Sequence, residues 1–524
     1  MSAAARDGTS IAGTPAGTPA GLTGRAAPWA AGLLASLAVL AVWGSFRAVP
    51  VMHDEWAYWL QAGQYARLKW HDATPPIPEF FEQLYVLVTP VFAAKYPPGH
   101  ALAIAPGFAI GLPALGPLLL SGVTAALVFV LARRVAGAWT AALTWLLWLG
   151  TFGNLRFRAT YFSEITTSFC WLAAWWALLE WRTTRRRRWM IAMGLACGWG
   201  AITRPATMFV FAIPLGVVVM RDVVTGRRWR DLAAGVTAGL AVLAILPVWS
   251  LGTIGEARRS PLAAYTAQYL PFDTPGFSLA ATPPERALPP EMERVRGFLH
   301  NIKAAQVERP KFETAFDRVM TVLRDAFAGW RLPFAAAFVV GLFTLGAAGW
   351  FALGTSALLF ASYLAQAHTS DWSIYYLETF PVIAFTAAAG VRAFGERLAA
   401  RGVVLPSAVP PRALLLVLAA AAGLLLDRDV VAARGVLDRI AAKPRAFQAA
   451  VRDLPRKPDI VFVRYAERRS MHISLVANAG VLNGAPTWVV HDRGPDNARL
   501  MAVAPGRAAW LFDEAAGEFR ELPR

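Results

Sequence analysis

Five groups of residues have types and spacing that could do chemistry. The first is His53-Asp54-Glu55, directly after the first long apolar stretch, where Trp56, Trp59, Leu60, Gly63 and Trp70 recur at helical spacing. Glu55, Tyr58, Gln61 and Tyr65 fall near the opposite face. Carboxylates in a first helical turn are favoured by the helix dipole, so the acid pair reads as a cap. A carboxylate partly withdrawn from water at a membrane surface reads equally as a general base for a substrate hydroxyl. The second group is Lys95-Tyr96-Pro97-Pro98-Gly99-His100. Its prolines open a helix whose first N–H groups stay free, and a lysine beside such a start suits a phosphate; the alternative is a lysine snorkelling past a proline cap.

Three further groups lie later in the chain. Arg156 and Arg158, with Tyr161, Ser163 and Glu164, are candidates for anion binding, or for pairing with Glu164 or lipid headgroups. Arg204, held in Thr203-Arg204-Pro205, needs a partner at the membrane edge, either a substrate phosphate or a carboxylate such as Glu55. His368, Asp371, Trp372, Tyr375, Tyr376 and Glu378 combine aromatic rings with polar groups, as in an interface belt or a sugar-stacking surface. Their spacing is not that of a metal site. No Walker loop, dinucleotide fingerprint or nucleophile elbow is present.

The elements that must position these residues are membrane helices. Of 524 residues, 56% are hydrophobic and 16% charged, against roughly a quarter charged in soluble proteins. With a mean hydropathy of +0.42, this excludes soluble cytoplasmic enzymes and the disordered and fibrous classes. Apolar runs predict about eleven spans, near 29–48, 112–132, 138–153, 164–181, 189–203, 205–220, 232–250, 333–350, 352–367, 374–392 and 411–426. A shorter apolar segment after Pro98 predicts a re-entrant or interfacial helix. Arg133-Arg134, Arg185 to Arg188, Arg221 to Arg230 and Arg392 to Arg401 fall at alternate loops, which places those loops and the N-terminus in the cytoplasm. All seven histidines then fall on the outer side.

The net charge of +17 reads as this orientation signal and as contact with anionic lipid, with no nucleic-acid partner. Cys170 and Cys197 lie within spans, which argues against a disulfide scaffold. The fold class expected is an α-helical polytopic membrane protein with outer-face interfacial helices and a small C-terminal α/β soluble domain. Residues 1–27, with repeated Gly-Thr-Pro-Ala, form a disordered cytoplasmic tail, 28–426 the membrane domain with outer loops 49–100 and 251–332, and 427–524 the extracytoplasmic domain. Within 251–332, Tyr265, Tyr269, Pro271, Phe272 and Asp273 are candidates to line a substrate groove, and two amphipathic stretches near 290–306 and 312–328 suit the membrane surface. Short strands are expected at Ile460–Val463, Trp488–Val490 and Ala509–Phe512.

In order and loop placement, Asp54-Glu55, Lys95 to Gly99, Arg158 to Glu164 and Thr203-Arg204-Pro205 resemble the C-type superfamily of membrane glycosyltransferases. The branch is that of protein O-mannosyltransferases and bacterial aminoarabinose transferases acting on lipid A. The resemblance runs over about residues 29–220 and weakens beyond. It implies transfer of a sugar from a polyprenyl-phosphate-linked donor to an acceptor hydroxyl on the outer face of the bacterial inner membrane, with inversion. Asp54 matches the catalytic carboxylate, Glu55 supports it or positions the acceptor, and Lys95 contacts the lipid phosphate with Tyr96, Arg158 and Arg204. His53, Tyr58, His100, Glu164, His368, Asp371 and Tyr375 are candidates for acceptor or sugar contacts. No cofactor is required beyond the donor, no metal ligands are assigned and no motif calls for a divalent cation. The acceptor is an envelope lipid, a glycan or a protein. A transporter or flippase, a polysaccharide polymerase or ligase, and an assembly scaffold are the competing readings. The first would call for internal repeats with polar groups at mid-membrane, and the sequence shows no such repeat.

Overall fold

The computed structural model describes residues 24–280, 282–401, 411–467, 470–478 and 480–523. The tail expected over 1–27 therefore lies outside the described residues apart from 24–27. The first apolar run forms α1 (Ala27–Trp43), which stops where Gly44 turns left-handed (φ 70°) and its N–H caps the Leu40 carbonyl. The segment expected as the first outer loop then folds as α2 (His53–Tyr65), a short antiparallel hairpin of β1 (Val86–Leu87) and β2 (Ala93–Ala94), and α3 (Gly99–Ala109), the helix expected after Pro98.

The bundle continues with α4 (Leu115–Ala136), α5 (Ala138–Leu149), α6 (Phe152–Arg158), α7 (Glu164–Thr184), α8 (Arg187–Ala201), α9 (Pro205–Gly226), α10 (Trp229–Leu243) and α11 (Ile245–Ile254). The segment 251–332 holds α12 (Pro261–Tyr269), α13 (Pro290–Glu308) and α14 (Lys311–Ala326), and is followed by α15 (Phe334–Leu342), α16 (Ala347–Tyr363), α17 (Phe380–Ala400) and α18 (Pro411–Arg452). Helices α8 and α10 meet at facing glycines: a Cβ on Gly198 would lie 2.9 Å from the Gly239 carbonyl, so only hydrogen at these positions permits the close backbone approach.

The expected spans fall largely on helices, except that 333–350 straddles the break between α15 and α16, and length and composition qualify fewer. Among the described residues four helices are long and apolar enough to cross a membrane: Leu115–Ala136, Pro205–Gly226, Trp229–Ile254 and Ser373–Ala400. A fifth arises if α15 and α16 are one broken span, for the run expected as two straight spans is bent by 108°. Helices α1 and α5, at 17 and 12 residues, are apolar but short. The run expected at 411–426 is the start of a 42-residue helix that passes through residue 427 without a break, tied by Asp429 to Arg331 at 2.6 Å.

Beyond it, β3 (Asp459–Arg464), β4 (Thr487–His491), α19 (Asn497–Val503), β5 (Ala508–Asp513) and β6 (Glu518–Glu521) complete a four-stranded sheet. Its order is β4-β3-β5-β6, parallel except for the β5–β6 pair. Residues alternating along β3 face two cores, which is why Ile460 to Val463 read as one continuous apolar run. Val461 and Val463 pack against Phe447 and Val451 of α18. Ile460 and Phe462 pack against Phe80, Phe81 and Phe92 of the segment between α1 and α3. The sheet is thus docked on the segment that carries the chemistry.

Candidate active site

Helix α2 starts at the acid pair, and the two acids have different fates. Glu55 is buried, and its carboxylate accepts from the backbone N–H groups of Val51, Met52 and Tyr161, each at 3.1 Å. It clamps the turn before α2 to the stretch before α7. Burial outweighs these three bonds and pushes its pKa up to about 7. Asp54 is half-buried and accepts a hydrogen bond from the Tyr96 hydroxyl. Burial holds its carboxyl above the ordinary range, against the opposing pull of the Tyr96 bond and the Lys95 charge.

The hairpin explains how Lys95 is placed. The register Val86↔Ala94 makes Tyr85 the partner of Lys95 one step on, and the Lys95 N–H donates to the Tyr85 carbonyl. Cross-strand partners share a face, so the Lys95 ammonium lies 4.2 Å from the Tyr85 ring centroid. Tyr265 and Tyr96 complete a cage at 5.1 and 5.2 Å. Among the described residues no hydrogen-bond acceptor or carboxylate reaches its Nζ, although Lys95 is buried. Burial lowers its pKa, with Asp273 and Asp54 acting the other way.

The chain entering α3 is sewn to the Arg204 turn. The Gly99 N–H donates to the Ile202 carbonyl at 2.8 Å, and a Cβ on Gly99 would meet Thr203 Oγ1 and the Ile202 carbonyl carbon at 2.9 Å. Arg204 caps α9 and pairs with Glu164 at 2.6 Å, rather than with Glu55, and also donates to Tyr363 and Ser163. Tyr58 donates to the same Ser163 hydroxyl at 2.9 Å and stacks on Tyr96 at 4.5 Å. A continuous layer therefore runs from Asp54 through Tyr96, Tyr58 and Ser163 to the Glu164–Arg204 pair. Tyr375 closes it, 5.6 Å from the Arg204 guanidinium and within electrostatic reach of Asp54 and Glu164.

Other candidates are placed elsewhere or held within the protein. Arg158 was expected at a phosphate. Instead it is buried, donates to Ser121 and the Leu149 carbonyl at 2.7 Å each, and stacks over Trp148, because α6 turns its side chain into the bundle. Both ring nitrogens of His100 are held, one by the Tyr161 carbonyl and one by Thr166, each at 2.8 Å, and burial lowers its pKa to about 3. His368 is held by the Gln366 carbonyl and the Tyr376 hydroxyl, and burial likewise lowers it to about 3. Asp371 is exposed, within reach of Arg156 and Asp325. His53 bonds the Met471 carbonyl and thereby the C-terminal domain.

Sequence reasoning passed over Tyr85, Tyr363 and the position of His472. An antiparallel bridge between Met52 and Ile473 brings His472 over the start of α2, within electrostatic reach of Asp54 and 5.8 Å from Trp372. Only the hairpin around Pro90 offered a local signal, by pairing Tyr85 with Lys95. Among the described residues no group of three or more His, Cys, Asp or Glu is arranged to hold a metal.

Residues 90–251, which contain Lys95 and Arg204, match the family model described as dolichyl-phosphate-mannose-protein mannosyltransferase. No curated protein matches the chain. Among solved structures, ArnT from Cupriavidus metallidurans bound to undecaprenyl phosphate shares the fold with a TM-score of 0.51 at 16% identity, covering 93% of each chain. The apo form of the same protein aligns with a TM-score of 0.49 at 16% identity, over 94% of this chain and 93% of that one. In sequence over residues 90–251 and in fold across nearly its whole length, the chain resembles the C-type membrane glycosyltransferases of the protein O-mannosyltransferase and lipid A aminoarabinose transferase branch.

Proposed function

We propose that the protein transfers a sugar from a polyprenyl-phosphate-linked donor to an acceptor hydroxyl at the outer face of the inner membrane. The observation that carries this reading is the meeting of Asp54 and Lys95 at Tyr96: a half-buried carboxylate, and a caged ammonium for which no described residue supplies an acceptor. Asp54 takes the proton of the acceptor hydroxyl, whose oxygen bonds to the anomeric carbon as the bond to the phosphate oxygen breaks. The electron pair of that bond leaves with the polyprenyl phosphate, whose growing negative charge Lys95 stabilises. One displacement inverts the anomeric centre. The undecaprenyl phosphate bound by the structurally similar ArnT supports a lipid of this class as carrier. Glu55 and the Glu164–Arg204 pair hold the frame, and the scheme draws on no cofactor beyond the donor.

The test compares envelope lipids and glycans by mass spectrometry in a deletion strain complemented with wild type, Asp54→Asn or Lys95→Ala. A sugar increment that returns with wild type but not with Asp54→Asn supports the reading and reveals the acceptor. Lys95→Ala should lower kcat/KM by about 10²–10³, the cost of removing one donor to a developing anion. Equal restoration by wild type and Asp54→Asn would overturn it.

A further inference from the structure

A cavity of about 300 Å³ lies at the other end of the bundle. Glu164 and Arg182 mark opposite ends of α7, about 27 Å apart at 1.5 Å per residue, and only Arg182 borders this cavity. Its deep wall is apolar and buried, built from Leu172, Trp175, Leu178 and Val382. The space exists for two reasons. The 108° bend between α15 and α16 starts α16 at the cavity mouth, and that first turn presents only Ala347, Ala348 and Gly349. A volume of this size sits at the lower edge of the roughly 300–1,000 Å³ of small-ligand sites.

The rim is charged. Arg182 is answered by Asp222 at 2.8 Å. Arg221 is exposed, and no carboxylate among the described residues lies within ion-pair distance of it. The rim therefore keeps one uncompensated positive charge directly above an apolar hole. Arg133, Arg134 and Arg185 to Arg188 end or follow the same helices, α4 and α7, so the whole end is basic.

We infer that this cavity is a lipid site: it takes one acyl chain of an anionic phospholipid from the adjacent leaflet, with the phosphate at Arg221. The charge complements the headgroup, and the volume and apolar wall suit one aliphatic chain. The site is separate from Asp54 and Lys95 and independent of the reaction proposed there.

Native mass spectrometry of the full-length protein in detergent tests this. Dioleoyl phosphatidylglycerol, dioleoyl phosphatidylethanolamine and undecaprenyl phosphate are titrated separately. Phosphatidylglycerol should bind once and more tightly than phosphatidylethanolamine. Arg221→Ala should weaken it about five-fold, the worth of one basic side chain at an anionic surface, and Ala348→Trp should abolish it by filling the mouth. Binding of undecaprenyl phosphate should be unchanged in both variants. Equal binding of the two phospholipids, or wild-type phosphatidylglycerol binding by Arg221→Ala, would overturn the inference. Parallel loss of undecaprenyl phosphate binding would overturn it too, by assigning the cavity to the carrier. Because Arg221 is a surface residue, its substitution leaves the fold intact even if Ala348→Trp does not.

Discussion

Replacing Tyr96 by phenylalanine isolates one atom of the proposed mechanism. The hydroxyl donates to Asp54, while the ring stacks on Tyr58 at 4.5 Å and an interplanar angle of 17°. Phenylalanine keeps the stack and removes the donor. A hydrogen bond to a charged group is worth about 1.5–3 kcal/mol, and one pKa unit corresponds to about 1.4 kcal/mol. The bond favours the ionised carboxylate, so its loss should raise the Asp54 pKa by about one to two units above a value that burial has already raised. A general base works ionised, and activity falls as pH drops through its pKa. The acidic limb of kcat/KM should therefore move to higher pH by about one to two units, with the plateau changed only a few-fold. The assay is transfer of labelled sugar from a polyprenyl-phosphate donor to endogenous acceptor in membranes, followed across pH. An unmoved limb, or one moved to lower pH, would refute the role of Asp54 as the titrating base.

Three other substitutions probe the frame. Glu55→Gln leaves at least one of three backbone N–H groups without an acceptor and should cost about 1–3 kcal/mol, read as a lower Tm. Because the folded Glu55 pKa is raised to about 7, the wild type loses stability as pH climbs from about 4.5 to 7, and that slope should flatten in the variant. His100→Gln has the opposite sign: the folded pKa of about 3 makes the wild type lose stability as pH falls below about 6.5, and Tm measured between pH 7 and 4 should fall less steeply without the imidazole. Gly99→Ala forces the entry to α3 away from Ile202 and Thr203, and should reduce both kcat/KM and Tm, whereas an alanine tolerated without change would show that the Lys95 and Arg204 turns are not held together there.

Helix placement was legible because long apolar runs have few alternatives, and the groups around Asp54, Lys95 and Arg204 proved adjacent because each flanks a helix at the same end. What sequence cannot reveal is the direction a side chain takes from a short helix. Arg158 and Arg204 look alike on paper, yet α6 turns one into the bundle while Pro205 leaves the other at the rim. The break at Phe343–Gly346 was equally hidden, since hydrophobicity runs through it and only Gly346 interrupts the pattern. The Lys95 cage depends on hairpin register and on Tyr265 from a distant loop. The position of His472 depends on a bridge from the far end of the chain, and no local periodicity encodes such long-range pairing.

That bridge has a bearing on biosynthesis. The loop holding Asp54 and Lys95 is propped by later chain: Ile473 pairs with Met52, the Leu482 N–H donates to Asp72 at 2.6 Å, and His491 bonds the Glu82 carbonyl at 2.7 Å. While a ribosome is still threading the first helices into the bilayer, none of these props has been made. The surroundings of Asp54 and Lys95 are therefore complete only after β4 has been translated and has folded back onto the opening loop. On the proposed mechanism, a stalled or clipped product should accumulate as a membrane protein without turnover rather than as a partially active one.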